Sequence, residues 1–361
     1  MTLWSKLLGD KVTGAKAQVR SGKAPDLTAP RPGVPSTVAV IPGKLTVTFH
    51  AHDSVEGATG NFLTAVTAGY RKYGQSEVVC TLRLPSDDDA IARMQELNRF
   101  FGTVHAWARQ RQLTTAGGLT QFGERALFER GQSGILYADA RPIAGIEIPP
   151  GAIAALLVDA AEVRTALDFG AYRVLMRIGE RYRHFPFPLW SDLDRPSVAS
   201  ERENETLLAK LPRIRAIGAS FVVEDERVRI QLAPSERATL GRGVARLAEG
   251  APFALLVKPA PSANAVLVWY PGQTEPMGIT PDGSDGSSLS GSCLLIVPGG
   301  QRDQTRQVED GYSLAFSTES WASVAAALLD ERPLSLRMAD GVTLSLEWLR
   351  DEPVRQNDQL A

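Results

Sequence analysis

Short apolar runs alternate along this chain with short amphipathic stretches, a pattern that predicts an α+β protein. One unit is legible three times: an apolar strand, a small-residue or proline break, an acidic residue, a short helix, a turn and a second strand. Ile153–Val158 leads into Asp159 and Glu162, a helix to Asp168, and a strand over Tyr172–Ile178. Val228–Leu232 leads into Pro234, Ser235 and Glu236, a helix to Ala248, and a strand over Phe253–Val257. Ser313–Phe316 leads into Ser317 and Glu319, a helix to Leu329, and a strand over Leu334–Met338. Each helix start offers a capping side chain (Asp159, Ser235, Ser317) with a glutamate in the first turn, where the carboxylate meets the positive end of the helix dipole. The second and third units align, with Glu236, Leu247 and Glu249 against Glu319, Leu329 and Glu331. That fits a duplication, or one physical solution used twice.

The remaining pattern fills in two mixed α/β domains built from such strand-helix-strand units. Leu45–Phe49 reads as a strand. Asn61–Tyr73 reads as a helix with Phe62, Val66 and Tyr70 on one stripe, ended by Gly74. Glu77–Leu84 is the next strand, and Pro85 opens the longest helix, which runs to about Gln112. Its Ile91, Met94, Leu97, Phe101, Val104 and Trp107 recur at helical spacing and face a core. Strands are predicted at Ile135–Tyr137, Ile143–Ile148, Val266–Tyr270, Leu294–Val297 and Thr343–Trp348, with a hairpin through Glu224, Asp225 and Glu226. Residues 1–43 are rich in Lys, Ala, Gly and Pro and read as an extended basic tail. Residues 44–191 form the first domain and 205–350 the second. The charged break Asp192–Asn204 lies between them, and 351–361 is a polar tail.

Composition narrows the function. The formal net charge of −2 gives no global field to attract nucleic acid or an anionic membrane. Cys80 and Cys293 both sit in apolar runs, as buried thiols do. No apolar stretch reaches the length of a membrane span and no secretory leader is recognisable, so a cytoplasmic protein is expected. The Arg-, Ala- and Gly-rich usage is common in GC-rich bacteria. No phosphate-binding loop, nucleophile elbow or dinucleotide fingerprint is present, and no cofactor is expected.

Two clusters carry candidate chemistry. In His50-Ala51-His52-Asp53, alternate strand residues put both imidazoles on one face, so His50, His52 and Asp53 offer a metal site of the kind used by metal-dependent hydrolases. In the second cluster, Arg181 and Arg183 run into Phe185, Phe187 and Trp190. Prolines keep this segment extended, and arginines and aromatics are favoured as interface anchors. These five residues are the candidate partner-binding set, with Trp190 expected at the seam between the domains.

The element order over about 45–185 resembles the suppressor of fused-like domain. The matching residues are Ser76-Glu77, Arg83-Leu84-Pro85, and Asp159 to Glu162. The chain departs from that family's Trp/His-rich segment, where it has Phe49-His50-Ala51-His52. The resemblance implies a non-catalytic binding module, and bacterial relatives of the family are often linked to immunity against toxins. The favoured expectation is therefore a bacterial protein-interaction protein whose partner is another protein. The alternative is a metal-dependent hydrolase centred on His50, His52 and Asp53.

Overall fold

The structure is a computed structural model that describes residues 27–85, 90–122, 131–245 and 250–350. The first part of the basic tail, the start of the long helix at 86–89, the end of the second-unit helix and the 351–361 tail lie outside the described residues.

The described strands form two sheets. The first holds β1 (Ser36–Ile41), β2 (Leu45–Val55), β3 (Ala58–Ala68), β4 (Val78–Leu84), β5 (Leu119–Gln121), β6 (Gln132–Asp139), β7 (Ile153–Asp159) and β8 (Trp190–Asp192). Its order is β1-β2-β3-β4-β7-β6-β5, with β8 also beside β4. The second holds β9 (Arg213–Glu224), β10 (Arg227–Leu232), β11 (Phe253–Pro259), β12 (Ala265–Val268), β13 (Met277–Ile279), β14 (Ser288–Ser290), β15 (Cys293–Val297), β16 (Gln304–Val308), β17 (Gly311–Ala315), β18 (Leu334–Arg337) and β19 (Thr343–Trp348). Its main path is β13-β12-β14-β9-β11-β15-β17-β16, and β10, β19 and β18 continue from β9. The helices are α1 (Ala90–Arg109), α2 (Ala160–Phe169), α3 (Ala171–Tyr182), α4 (Arg237–Ala245) and α5 (Thr318–Leu329).

Strand alternation places the layers, because successive side chains leave opposite faces of a sheet. On β7, Ile153, Ala155 and Leu157 face the core under α1, with Leu97, Phe101 and Val104. Ala154, Leu156 and Val158 face the other way, onto Val163, Val174, Leu175 and Ile178 of α2 and α3. On β11, Leu255 and Val257 meet Leu240, Val324 and Leu328 of α4 and α5. Ala254 and Leu256 instead meet Phe169, the last residue of α2. The order through the molecule is therefore α1, first sheet, α2–α3, second sheet, α4–α5. The α2–α3 pair is shared by both sheets.

Four sequence expectations change here. Asn61–Tyr73 is strand β3 over most of its length rather than a helix. It pairs with β2 on one side and β4 on the other, and Phe62 to Thr67 are all buried. Burial on both faces erases the alternation that marks a half-exposed strand, and the β-branched Thr64, Val66 and Thr67 favour the pleat. Tyr172–Ile178 is helix α3 rather than a strand, so the first unit is not strand-helix-strand. Units two and three do form that sequence, as β10–α4–β11 and β17–α5–β18. Ile143–Ile148 keeps a single bridge, Ile143 to Ile146, and covers Val66 and Val79 as an irregular flap broken by Pro142, Gly145 and Pro149. Finally, the tail reading of 1–43 fails for its last part. β1 pairs with β2, Val38 is buried in the first core, and Pro32 bridges to Ala51. Cys80 and Cys293 are both free and buried, and burial pushes the Cys80 thiol up to about 12.

Two of the three expected helix caps form, whereas Ser235 lies inside a 3₁₀ turn, Pro234–Glu236, that has no side-chain cap hydrogen bond. Asp159 and Glu162 form a complete capping box on α2. Ser317 caps α5, and Asp303 accepts from the Ser317 amide and the Ser320 hydroxyl, both at 2.6 Å. Burial pushes the Asp303 carboxyl up, but these hydrogen bonds outweigh it and hold it below the usual aspartate range.

Two outcomes are expected. A chain starting at residue 44 loses β1 and the burial of Val38, and melts several degrees below one starting at residue 27 in a calorimetric comparison. For Asp303 the folded pKa lies below the unfolded one. Its contribution is present above the unfolded value of about 3.9 and is lost as pH falls through the folded value. Urea unfolding of wild type and Asp303→Asn should differ at pH 7 and converge as pH drops below that range.

Candidate functional site

The densest polar chemistry in the molecule lies where α3 meets the second sheet. Gly170, at φ 93°, separates α2 from α3 and lets the chain turn between them. Ala171 to Gly179 are all buried, because one side of α3 packs on the first sheet and another on the second. Arg173 and Arg177 lie four residues apart and so share one stripe of the helix. Each is only 1% exposed. An arginine so placed must find counter-charge, since an isolated buried cation costs far more than a fold can spare.

The second half of the chain supplies it. Arg173 Nη1 lies 2.9 Å from Asp310 and 3.4 Å from Glu309, both in the β16–β17 turn, and its Nη2 is 3.5 Å from Glu203. Arg177 pairs with Glu203 through Nη1, while Nε and Nη2 donate to the Trp269 carbonyl at 3.1 and 3.0 Å. Burial works against the Arg173 charge, but Asp310, Glu203 and Glu309 outweigh it and raise its pKa. Aromatic rings fill the gaps. The Phe169 ring has the guanidinium of Arg173 over it at 5.3 Å and that of Arg213 at 5.2 Å. Arg177 stands 4.7 Å from the Tyr270 ring. Tyr270 Oη also reaches Glu180 of α3 at 3.3 Å. The seam is thus a charge-neutralised, aromatic-lined joint.

The five residues of the candidate partner set do not share one surface. Arg181 and Arg183 are exposed at the end of α3, with Arg183 in the left-handed region at φ 51°. Arg181 is close enough to Tyr270 to bear on its ionisation, so it lies at the rim of the seam. Phe185 is half-buried. Phe187 is buried beside Tyr172, with Arg141 stacked 5.8 Å over its ring. Trp190, expected at the seam, lies instead in β8 of the first sheet. It packs on Tyr182 at 4.6 Å and Phe62 at 5.6 Å, because β8 adds in parallel to the end of β4. Trp269 and Tyr270 occupy the seam. The Arg173/Arg177 spacing within an apolar run signals two cations that must be covered, but nothing local to it identifies Trp269 and Tyr270 as the cover.

The histidine pair falls inside β2 rather than at its end. The His50 and His52 rings stack at 6.2 Å with 20° between planes. Asp53 is exposed at a register break between His52 and Ser54. Burial lowers both histidine pKa values. The neighbouring His52 lowers that of His50 further, whereas Asp53 opposes the drop at His52. The pair offers neutral imidazoles, but among the described residues no group of three or more His, Cys, Asp and Glu side chains is placed to hold a metal ion.

Two other acids hold architecture. Glu77 is buried and accepts from the Gly69 and Tyr70 amides, both at 2.9 Å, and from the Thr67 hydroxyl at 2.8 Å, which pins the β3–β4 connection. Glu162 is fully buried and holds Arg195 through both oxygens, as well as the Val198 amide at 2.9 Å.

No family model matches the chain, and no curated protein matches it. Among solved structures, the crystal structure of Drosophila Suppressor of Fused matches over 84% of this chain and 89% of that chain, with 11% identity and a TM-score of 0.34. This is a weak structural resemblance.

Removing Arg173 tests the seam. Arg173→Met leaves Asp310 buried without its cation and should cost about 3–5 kcal/mol in urea unfolding. Combining it with Asp310→Asn should cost clearly less than the sum of the two single changes, because the pair is directly coupled.

Proposed function

We propose that this chain is a non-catalytic bacterial protein-interaction protein of the cytoplasm, an immunity-type or accessory binding module of two α/β domains. The observation that carries this reading is the end of α3. Arg181 and Arg183 are exposed and form no ion pair with any described residue, yet they project from a helix fixed on both sides by the two sheets. Two unpaired guanidinium groups on a rigid mount, beside the half-buried Phe185, suit an acidic protein surface. Little backbone entropy remains to be lost on binding. The polar groups buried deepest serve the fold: Glu77, Glu162, Arg173 and Arg177 each hold backbone or an opposite charge. Among the described residues no helix is long and apolar enough to cross a membrane.

A second reading is kept by the stacked histidines. His52 Nε2 is buried without a hydrogen-bond partner, a donor atom that a metal would satisfy in a hydrolase using His50, His52 and Asp53.

The two readings separate in one preparation. The tagged chain should recover a protein partner from native bacterial lysate, and Arg181→Glu with Arg183→Glu should abolish recovery without lowering the melting temperature. Elemental analysis should find no stoichiometric zinc or manganese. Metal present in wild type and lost in His50→Ala with His52→Ala would transfer the assignment to the hydrolase.

A further inference from the structure

At the end of the first sheet remote from the β2–β3 turn, three backbone turns come together around buried His105. The β1–β2 turn brings Lys44, the short 3₁₀ turn Arg71–Tyr73 brings Arg71 and Lys72, and the end of α1 brings Arg109 and Arg111. All five cations are exposed, and none forms an ion pair with a described residue. Residues 42–46, 69–75 and 105–117 contain no aspartate or glutamate. The turns are in contact. Lys72 Nζ donates to the Lys44 carbonyl at 2.9 Å and lies 5.3 Å over the Tyr73 ring, which meets His105 edge-on at 5.0 Å. The cations also bear on His105. Burial lowers its pKa most, and Arg109, Lys72 and Lys44 lower it further.

The patch is held rigid. Gln75 is buried and clasps the loop after α1 at two points. It accepts from the Thr114 amide at 2.8 Å and donates to the Thr114 carbonyl at 3.0 Å. Arg111 is fixed in the left-handed region at φ 61°. Leu113, 45% exposed, is carried on the same clasped loop beside the Tyr73–Gly74 turn. An exposed leucine on a fixed loop beside Arg111, on a face that carries the other four cations, combines an apolar contact with a polar, positive rim.

We infer that the turns carrying Lys44, Arg71, Lys72, Arg109 and Arg111 form a docking surface for an acidic protein segment that places an apolar side chain against Leu113. The inference rests on the protein-interaction reading and adds a surface separate from Arg181 and Arg183. An acidic peptide is favoured over nucleic acid or anionic lipid. The rest of the chain carries a net negative charge that repels an extended polyanion, and Leu113 offers nothing to a phosphate backbone.

The test measures fluorescence polarisation with the full chain. The probes are a labelled glutamate-rich peptide containing leucines, its leucine-free counterpart, oligothymidylate, and phosphatidylglycerol vesicles. The leucine-containing peptide should bind best. Lys72→Glu with Arg111→Glu should weaken it by roughly tenfold or more, since like charges then face each other. Leu113→Ser should reduce its affinity to that of the leucine-free peptide. Arg71→Glu with Arg109→Glu provides a second pair should the first lower the melting temperature. Unchanged peptide binding in folded reversal variants, absence of peptide binding in wild type, or tighter binding of oligothymidylate or vesicles would each overturn the inference. If any of these occurred while partner recovery still depended on Arg181 and Arg183, this surface would fail and the proposed function would stand.

Discussion

Everything in the middle of this molecule depends on two arginines that cannot be left alone. α3 lies between two sheets, and Arg173 and Arg177 point from it into a region closed to water. Glu309 and Asp310, from the β16–β17 turn of the second sheet, and Glu203, from the segment that joins the strands of the two sheets, provide the neutralising charge. Counter-charges supplied by one half to a helix of the other impose a register on the two. A rotation of one half against the other would strand a cation or a carboxylate in a low-dielectric space. Such a joint adds little net stability compared with an apolar one of the same shape, yet removal of one partner is costly. Its effect is to allow one mutual arrangement and penalise its neighbours.

The aromatic residues complete that joint. Two guanidinium groups, of Arg173 and Arg213, contact the Phe169 ring, and Tyr270 takes Arg177 over its ring and the carboxylate of Glu180. Cation–π contacts are worth most where water is excluded, as here. The apolar contacts of α3 with Val266, Val268 and Ile279 supply the burial, and the charges supply the alignment.

The same economy explains the acids on which the family resemblance rests. Glu77 collects the amides of the β3–β4 connection, and Glu162 closes a capping box while holding Arg195. Both do architectural work, one holding a turn and the other a helix start. The residues proposed above for recognition are exposed cations: Arg181 and Arg183 beside the seam, and Lys44, Arg71, Lys72, Arg109 and Arg111 at the end of the first sheet that carries Leu113.

Much of the architecture was legible in the chain itself. The mixed α+β class, the strand-helix-strand form of the second and third units, the capping of α2 by Asp159 and Glu162, and the final strand Thr343–Trp348 follow from local period, breaks and caps, which need only neighbouring residues. The errors share a physical cause. β3 over Phe62–Thr67 and α3 over Ala171–Gly179 are buried, so neither shows there the polar face that gives a period its meaning, and each reads in the sequence as the other's geometry. Only the Arg173/Arg177 spacing betrayed the helix. Trp190 was visible as a residue needing burial, but its burial place depended on β8 joining β4, a contact between residues more than a hundred positions apart. Local patterning dictates which side chains must be covered or neutralised. The tertiary structure decided what covers them, because counter-charges such as Asp310 for Arg173 meet only when two sheets close on one helix.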